Sequence, residues 1–209
     1  AEQRKRARAA SKFELDTNDA NSQIIFDSEF VGYEKLEESS TVIALFKDGR
    51  SVKQLAQGEE GGIILATTPF YAESGGQSGD RGKLMSNGVV FEVCDTQKQS
   101  KAHIHLGELK QGEIEVGQSL QARVNKLHRV DIMRNHSATH LLHAALRQIL
   151  GKHVTQKGSL VAADRLRFDF SHPEALTDDE VRKIEQLTNH IILENAATQV
   201  DVMSLDEAM

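Results

Sequence analysis

The sequence predicts an α+β protein: a small β-barrel over residues 22–124, followed by an α+β unit over residues 125–209. Three observations carry this expectation. From about Ser22 to Val124, short β-rich runs alternate with turn residues. Asp48-Gly49 and Asn87-Gly88 stand between such runs, where type I′ hairpin turns need residues that tolerate positive φ. After Asn125 the apolar period becomes helical, and the helix is followed by two short strands, a second helix and a last strand.

Residues 1 to about 12 read as the end of a helix, because Ala, Arg, Lys and Glu dominate without a breaker. The chain starts inside this pattern, so the expected start is a boundary within a longer protein. The β-rich runs that follow are IIFDSEFVGY, TVIALF, GGIILATT, GVVFEV and AHIHL, and about a hundred residues of this texture predict a small barrel or sandwich. LHRVDIMRNHSATHLLHAALRQIL then reads as one helix stopped by Gly151. VTQKGSLV and RLRFDF read as strands joined through Ala163-Asp164. Thr177 and Glu180 have the spacing of a capping box that opens a helix to about Glu194. A strand is expected near Thr198 to Met203, and Leu205 to Met209 barely begins another helix. Helix, hairpin, helix and strand make an α+β layer.

Composition narrows the class. The 209 residues, 39% hydrophobic and 27% charged, are those of a soluble globular protein with a real core. No apolar run approaches the roughly 20 residues needed to cross a bilayer, and AEQRKRARAASKF offers no secretory signal. A single cysteine, Cys94, excludes an internal disulfide framework and fits the cytosol. The net charge of −6 argues against a general nucleic-acid binder, though a protein that grips one folded RNA locally need not be basic overall.

Three segments carry candidate chemistry. His136-Ser-Ala-Thr-His140, followed by His143, places three imidazoles within about 60° on one helix face. Ala138, Leu141, Leu142, Ala145 and Ile149 lie on the opposite side and are expected to bury against a sheet. Two histidines at i, i+4 can reach one zinc ion, and the same pattern alone also describes a solvated histidine face. Ser137 stands where the zinc proteases have glutamate, so their general base is missing. PFYAESGGQSGDRG, residues 69–82, is a glycine-rich loop between strands with no following GKS or GKT, which excludes a P-loop. In HVTQKGS, Thr155 and Gln156 alternate along a strand, and the Gln156 amide can serve a pocket.

Together these segments resemble alanyl-tRNA synthetase. HSATHLLHAALRQILGKHVTQKGSLV and LRFDFSH resemble its editing domain, FYAESGGQSGDRG the loop that closes the preceding barrel, and RARAASKF the segment leading in from the aminoacylation half. Threonyl-tRNA synthetase has a related histidine helix but is not expected to carry the FYAESGGQ barrel. The resemblance covers essentially the whole chain. It implies a threonyl/alanyl-tRNA synthetase type of editing fold, with residues 1–21 as the end of a helical linker, 22–124 as the barrel and 125–209 as the editing domain, cut short at its C-terminus.

What the resemblance implies is hydrolysis of tRNA(Ala) mischarged with serine or glycine, at its acceptor end. A pocket for alanine rejects such close analogues weakly, so a second, hydrolytic site is needed. The family's zinc ion is held by the two histidines of HxxxH and by a later CxxxH. His136 and His140 match the first pair, and the sequence stops at Met209 before any CxxxH. Two of four zinc ligands are therefore expected here, with a site that is empty or completed from elsewhere. By the same resemblance Thr139 and Gln156 are catalytic-pocket residues, and Gly75, Gly76 and Gln77 contact substrate. ATP and Mg2+ would serve only the aminoacylation half. A free-standing deacylase and a non-catalytic tRNA-binding module are the competing readings. An apolar patch near Val200 to Met203 is expected to favour self-association.

Overall fold

A computed structural model describes residues 26–197 and 203–204, and strands fill its first half. They are β1 (Glu29–Phe30), β2 (Glu37–Lys47), β3 (Arg50–Val52), β4 (Gln54–Ala56), β5 (Glu60–Leu65), β6 (Thr67–Thr68), β7 (Gly82–Ser86), β8 (Val89–Gln99), β9 (Ala102–Gln111), β10 (Glu113–Glu115) and β11 (Ser119–Val124). Strands β11, β7, β8, β9, β5 and β2 are hydrogen-bonded in that order, and β11 pairs back onto β2, so six strands close a barrel. The closing pair is antiparallel, with Ser119 opposite Thr41 and Arg123 opposite Glu37. Closure removes the two long edges that an open sheet of these strands would expose.

Alternation fills the interior. In β11, Leu120, Ala122 and Val124 are buried while Ser119, Gln121 and Arg123 are exposed, the period of a half-buried strand. Leu45, Leu55, Ile63, Leu65, Phe70, Leu84, Phe91, Leu109 and Ile114 join them in one cluster, all fully buried. Each such side chain contributes about 1.5–3 kcal/mol of transfer free energy. Val42 and Leu45 both face this cluster although three positions separate them. The register shift between Val42 and Ala44 explains it: a bulge resets the alternation. Ala44 and Phe46 consequently join Ile64, Ala102 and Ile104 in a second cluster.

Two sequence expectations need correction here. IIFDSEFVGY does not form a long strand: of its described residues Glu29–Phe30 pair parallel to Thr67–Thr68, and Asp27 makes an isolated bridge to Lys101. Arg129 holds the Gly32 carbonyl at 2.8 Å, and the chain turns at Val31, whose carbonyl accepts from the Lys35 N–H. The turns also differ. Asp48 (φ 51°) and Gly49 (φ 77°) both have positive φ, as a type I′ turn requires, whereas at Asn87-Gly88 only Gly88 does (φ 76°). Glycine alone is needed there.

The helical half begins at Asn125, whose side chain accepts from the His128 N–H and caps α1 (Lys126–Leu150). Twenty-five residues make a rod of about 37 Å. It ends at Gly151, whose φ of 118° is closed to other residues. Strands β12 (Gln156–Val161) and β13 (Leu166–Phe170) form an antiparallel hairpin. Helix α2 (Asp178–Glu194) opens on the expected capping box, Thr177 with Glu180 in both directions. Ala145 and Leu146 of α1, Val154 and Ile184 of α2 make the buried core of this half, with Leu142, Ile149, Phe168 and Phe170 packed around it. Of the residues expected to pack α1 on a sheet, Leu142, Ala145 and Ile149 do so with Leu146 added, whereas Ala138 and Leu141 are not part of that cluster. Among the described residues no helix is long and apolar enough to cross a membrane. The expected helix over residues 1–12, the strand over 198–203 and the last helical turn fall on or overlap residues outside those described. Of the predicted apolar patch only Met203 is described, and it is exposed.

Candidate functional site

The loop between β6 and β7 is the part of the barrel that reaches the helical half. Ser78 N–H donates to the Val161 carbonyl at 2.9 Å, and Val161 N–H donates to the Gly76 carbonyl at 2.8 Å. Gln77 thereby forms a parallel bridge to β12. Gly76 permits this approach. Its φ is 87°, and a Cβ there would lie 2.5 Å from the Ser159 carbonyl oxygen. We expect Gly76→Ala to cost about 1–3 kcal/mol from overpacking and backbone strain. Urea unfolding measures it, and an unchanged midpoint would show that the loop docks differently. Gly75 also has positive φ (61°) but faces open space.

The docked loop presents Gln77 to α1. Its Oε1 lies 2.5 Å from His136 Nδ1. An amide oxygen only accepts, so Nδ1 carries the proton and the free lone pair of His136 sits on Nε2. The His140 ring stacks on that of His136 with centroids 5.1 Å apart and planes 26° apart. Desolvation, and then the neighbouring His140, hold the His136 pKa below its ordinary value, which favours the neutral, ligating form.

The other expected residues fall as follows. His143 leaves the histidine face: its ring packs on Phe168 at 5.0 Å, and Nε2 is buried with no partner among the described residues. The helix presents this position to β13, and packing overrides the shared arc. Thr139 is buried, and its hydroxyl donates to the Asn135 carbonyl at 2.8 Å, leaving only acceptor capacity. Gln156 opens β12, and its Nε2 donates to Ser159 Oγ at 3.2 Å, the residue on which Gly76 packs. Loop, helix and strand thus meet through Gln77–His136 and Gly76–Ser159.

The residues present fit a zinc site in part. Two imidazoles, one oriented by a hydrogen bond on its far nitrogen, are the donors and the supporting contact that zinc sites use. Among the described residues no group of three or more His, Cys, Asp or Glu is placed to hold a metal.

One constellation escaped the sequence reading. Arg129 of α1 is buried against Asp80 of the loop, with Nε 2.9 and 3.0 Å from the two carboxylate oxygens and a further contact from Nη2. Its remaining donors reach the Gly32 carbonyl at 2.8 Å and the Pro69 carbonyl at 2.9 Å. Asp80 in turn accepts from the Tyr71 N–H at 2.7 Å. A signal was there: Arg129 lies one turn before Ile132 in the stripe that α1 buries. A charge in such a stripe needs a buried partner.

Comparison with known sequences gives the family of the chain. The family model of tRNA synthetases class II (A) matches residues 1–128, and the chain belongs to that family. Beyond residue 128, similarity continues into individual relatives. The chain is 54% identical to the alanine–tRNA ligase of Halorhodospira halophila, 50% to that of Nitrosococcus oceani and 51% to that of Shewanella loihica. Each match covers 100% of this chain and 24% of the relative, so the chain spans about a quarter of the length of these curated relatives.

Proposed function

We propose that this chain is the editing region of an alanine–tRNA ligase, hydrolysing the ester that joins serine or glycine to the terminal adenosine of tRNA(Ala). The observation that carries it is the His136–His140 pair facing Gln77, in a chain about half identical to alanine–tRNA ligases. His136 and His140 would hold a zinc ion, with two further ligands from outside the described residues. When bound, zinc supplies a Lewis acid that polarises an ester carbonyl or lowers the pKa of a water. Gln77 keeps the His136 proton on Nδ1 and Nε2 free. In this reading the Thr139 hydroxyl oxygen is the acceptor for the serine side chain and the Gln156 amide orients the ester. ATP and Mg2+ belong to alanine activation elsewhere in the longer ligase, and the setting is the cytosol.

Replacing His136 and His140 together by alanine in the full-length ligase is expected to reduce Ser-tRNA(Ala) hydrolysis at least about 100-fold, with alanine activation intact. Gln77→Ala should lose about 10–100-fold, as removal of a group that orients a metal ligand does. Hydrolysis at an undiminished rate in the double variant would refute the reading.

A further inference from the structure

A second cleft, of about 490 Å³, opens on the other flank of the docked loop, where Ser78 and Gly79 line it together with the start of α1 and the β12–β13 turn. Its charged lining is of both signs. Glu73 and Asp95 lie together, Arg81 stands beside His128, and Asp164 and Arg165 come from the turn. Among the described residues the side chains of Glu73 and Arg81 have no hydrogen-bond or ion-pair partner. Arg165 holds only Asp164, in an exposed pair at 2.8 Å that binds it weakly. His128 Nδ1 is buried and also unpartnered. The floor includes the apolar Leu160.

We propose that this cleft seats one ribonucleotide unit of an RNA strand, its phosphate on Arg81 and Arg165 and its ribose hydroxyls on Glu73 and Asp95. The volume is too large for a free amino acid and is that of a site for a ligand of nucleotide size. A phosphodiester calls for guanidinium forks, and a hydroxyl donor calls for carboxylate oxygens. Leu160 and the His128 ring offer the flat, weakly polar surface on which a base rests. The cleft and the histidine pair share the loop wall, with Gln77 turned to His136 while Ser78 and Gly79 line the cleft. A strand lying here passes beside that wall. The assignment of the strand to a tRNA acceptor end rests on the proposed editing function; the assignment of ribose phosphate to the cleft does not.

The test is fluorescence anisotropy with a labelled single-stranded RNA ending in CCA, its DNA counterpart, and unlabelled AMP as competitor, on the 209-residue chain. Arg81, Arg165 and Glu73 are exposed, so their substitution leaves the fold intact. Arg81→Ala with Arg165→Ala should weaken RNA binding about tenfold or more, and lower the slope of log affinity against log salt by about 0.7 for each phosphate no longer neutralised. Glu73→Gln should reduce the preference for RNA over DNA several-fold. Retained RNA affinity in the arginine variants, or equal binding of DNA by the parent chain, overturns the proposal. AMP competing as strongly as the oligonucleotide overturns the strand in favour of a free nucleotide. Arginine-dependent RNA binding by this chain, alongside undiminished Ser-tRNA(Ala) hydrolysis in a full-length ligase that lacks His136 and His140, would sink the editing reading and leave this one standing.

Discussion

Arg129→Ala is expected to destabilise the chain by about 3–5 kcal/mol. Removing one partner of a buried pair leaves the other charge uncompensated. Asp80 is 1% exposed and would keep only its backbone donor from Tyr71. Two carbonyls, of Gly32 and Pro69, would lose their donors as well. Arg129→Lys should recover little, because an ammonium cannot reach one carboxylate and two carbonyls as a planar fork does. Urea unfolding decides it, and a loss below about 1 kcal/mol would mark the pair as no better than a surface ion pair. The variant should also loosen the loop that positions Gln77.

Acidification from pH 6.5 towards 4 should cost about 3 kcal/mol through His105 alone. This ring is fully buried in the barrel, with Nδ1 donating to the Ile63 carbonyl at 2.8 Å and Nε2 accepting from the Thr68 hydroxyl at 2.7 Å. Desolvation lowers its pKa to about 4, against the Ile63 hydrogen bond that raises it. An unfolded chain restores a value near 6.5, so between these pH values the unfolded state binds more protons. Stability therefore rises with pH across the window, by about 1.4 kcal/mol per unit at most, and is lost as pH falls through it. His103, also buried and shifted down by desolvation, acts in the same direction. His105→Gln should be less stable at neutral pH yet show a shallower pH slope. An unchanged slope would place the sensitivity elsewhere.

Much of the architecture was legible because its causes are local. The Asp48-Gly49 turn, the Thr177–Glu180 box and Gly151 each act within a few residues, and each stands where the pattern placed it. What local pattern could not supply is long-range pairing. The bulge between Val42 and Ala44 appears only when β5 lies alongside, and the departure of His143 from the histidine face depends on Phe168. Of the site, the residues themselves were legible but their partners were not. Gln77 stood out as part of a glycine-rich loop, while its bond to a histidine 59 positions away depends on the loop crossing to β12. The Asp80–Arg129 pair spans 49 positions and lies outside any sequence window.

The closing seam of the barrel bears on how the chain is made. Arg123 meets Glu37 across 86 positions, so the first long strand waits for the last before the ring shuts. On the ribosome, β2 emerges early and stays an open edge until residues 119–124 have left the exit tunnel. Pairings so far apart make folding slow and leave the waiting edge prone to pair with other chains. The capping turn at Asn125 follows at once, and its N–H donates to the Arg81 carbonyl at 2.7 Å. The first turn of the histidine helix is therefore templated on a finished barrel, and synthesis order becomes assembly order.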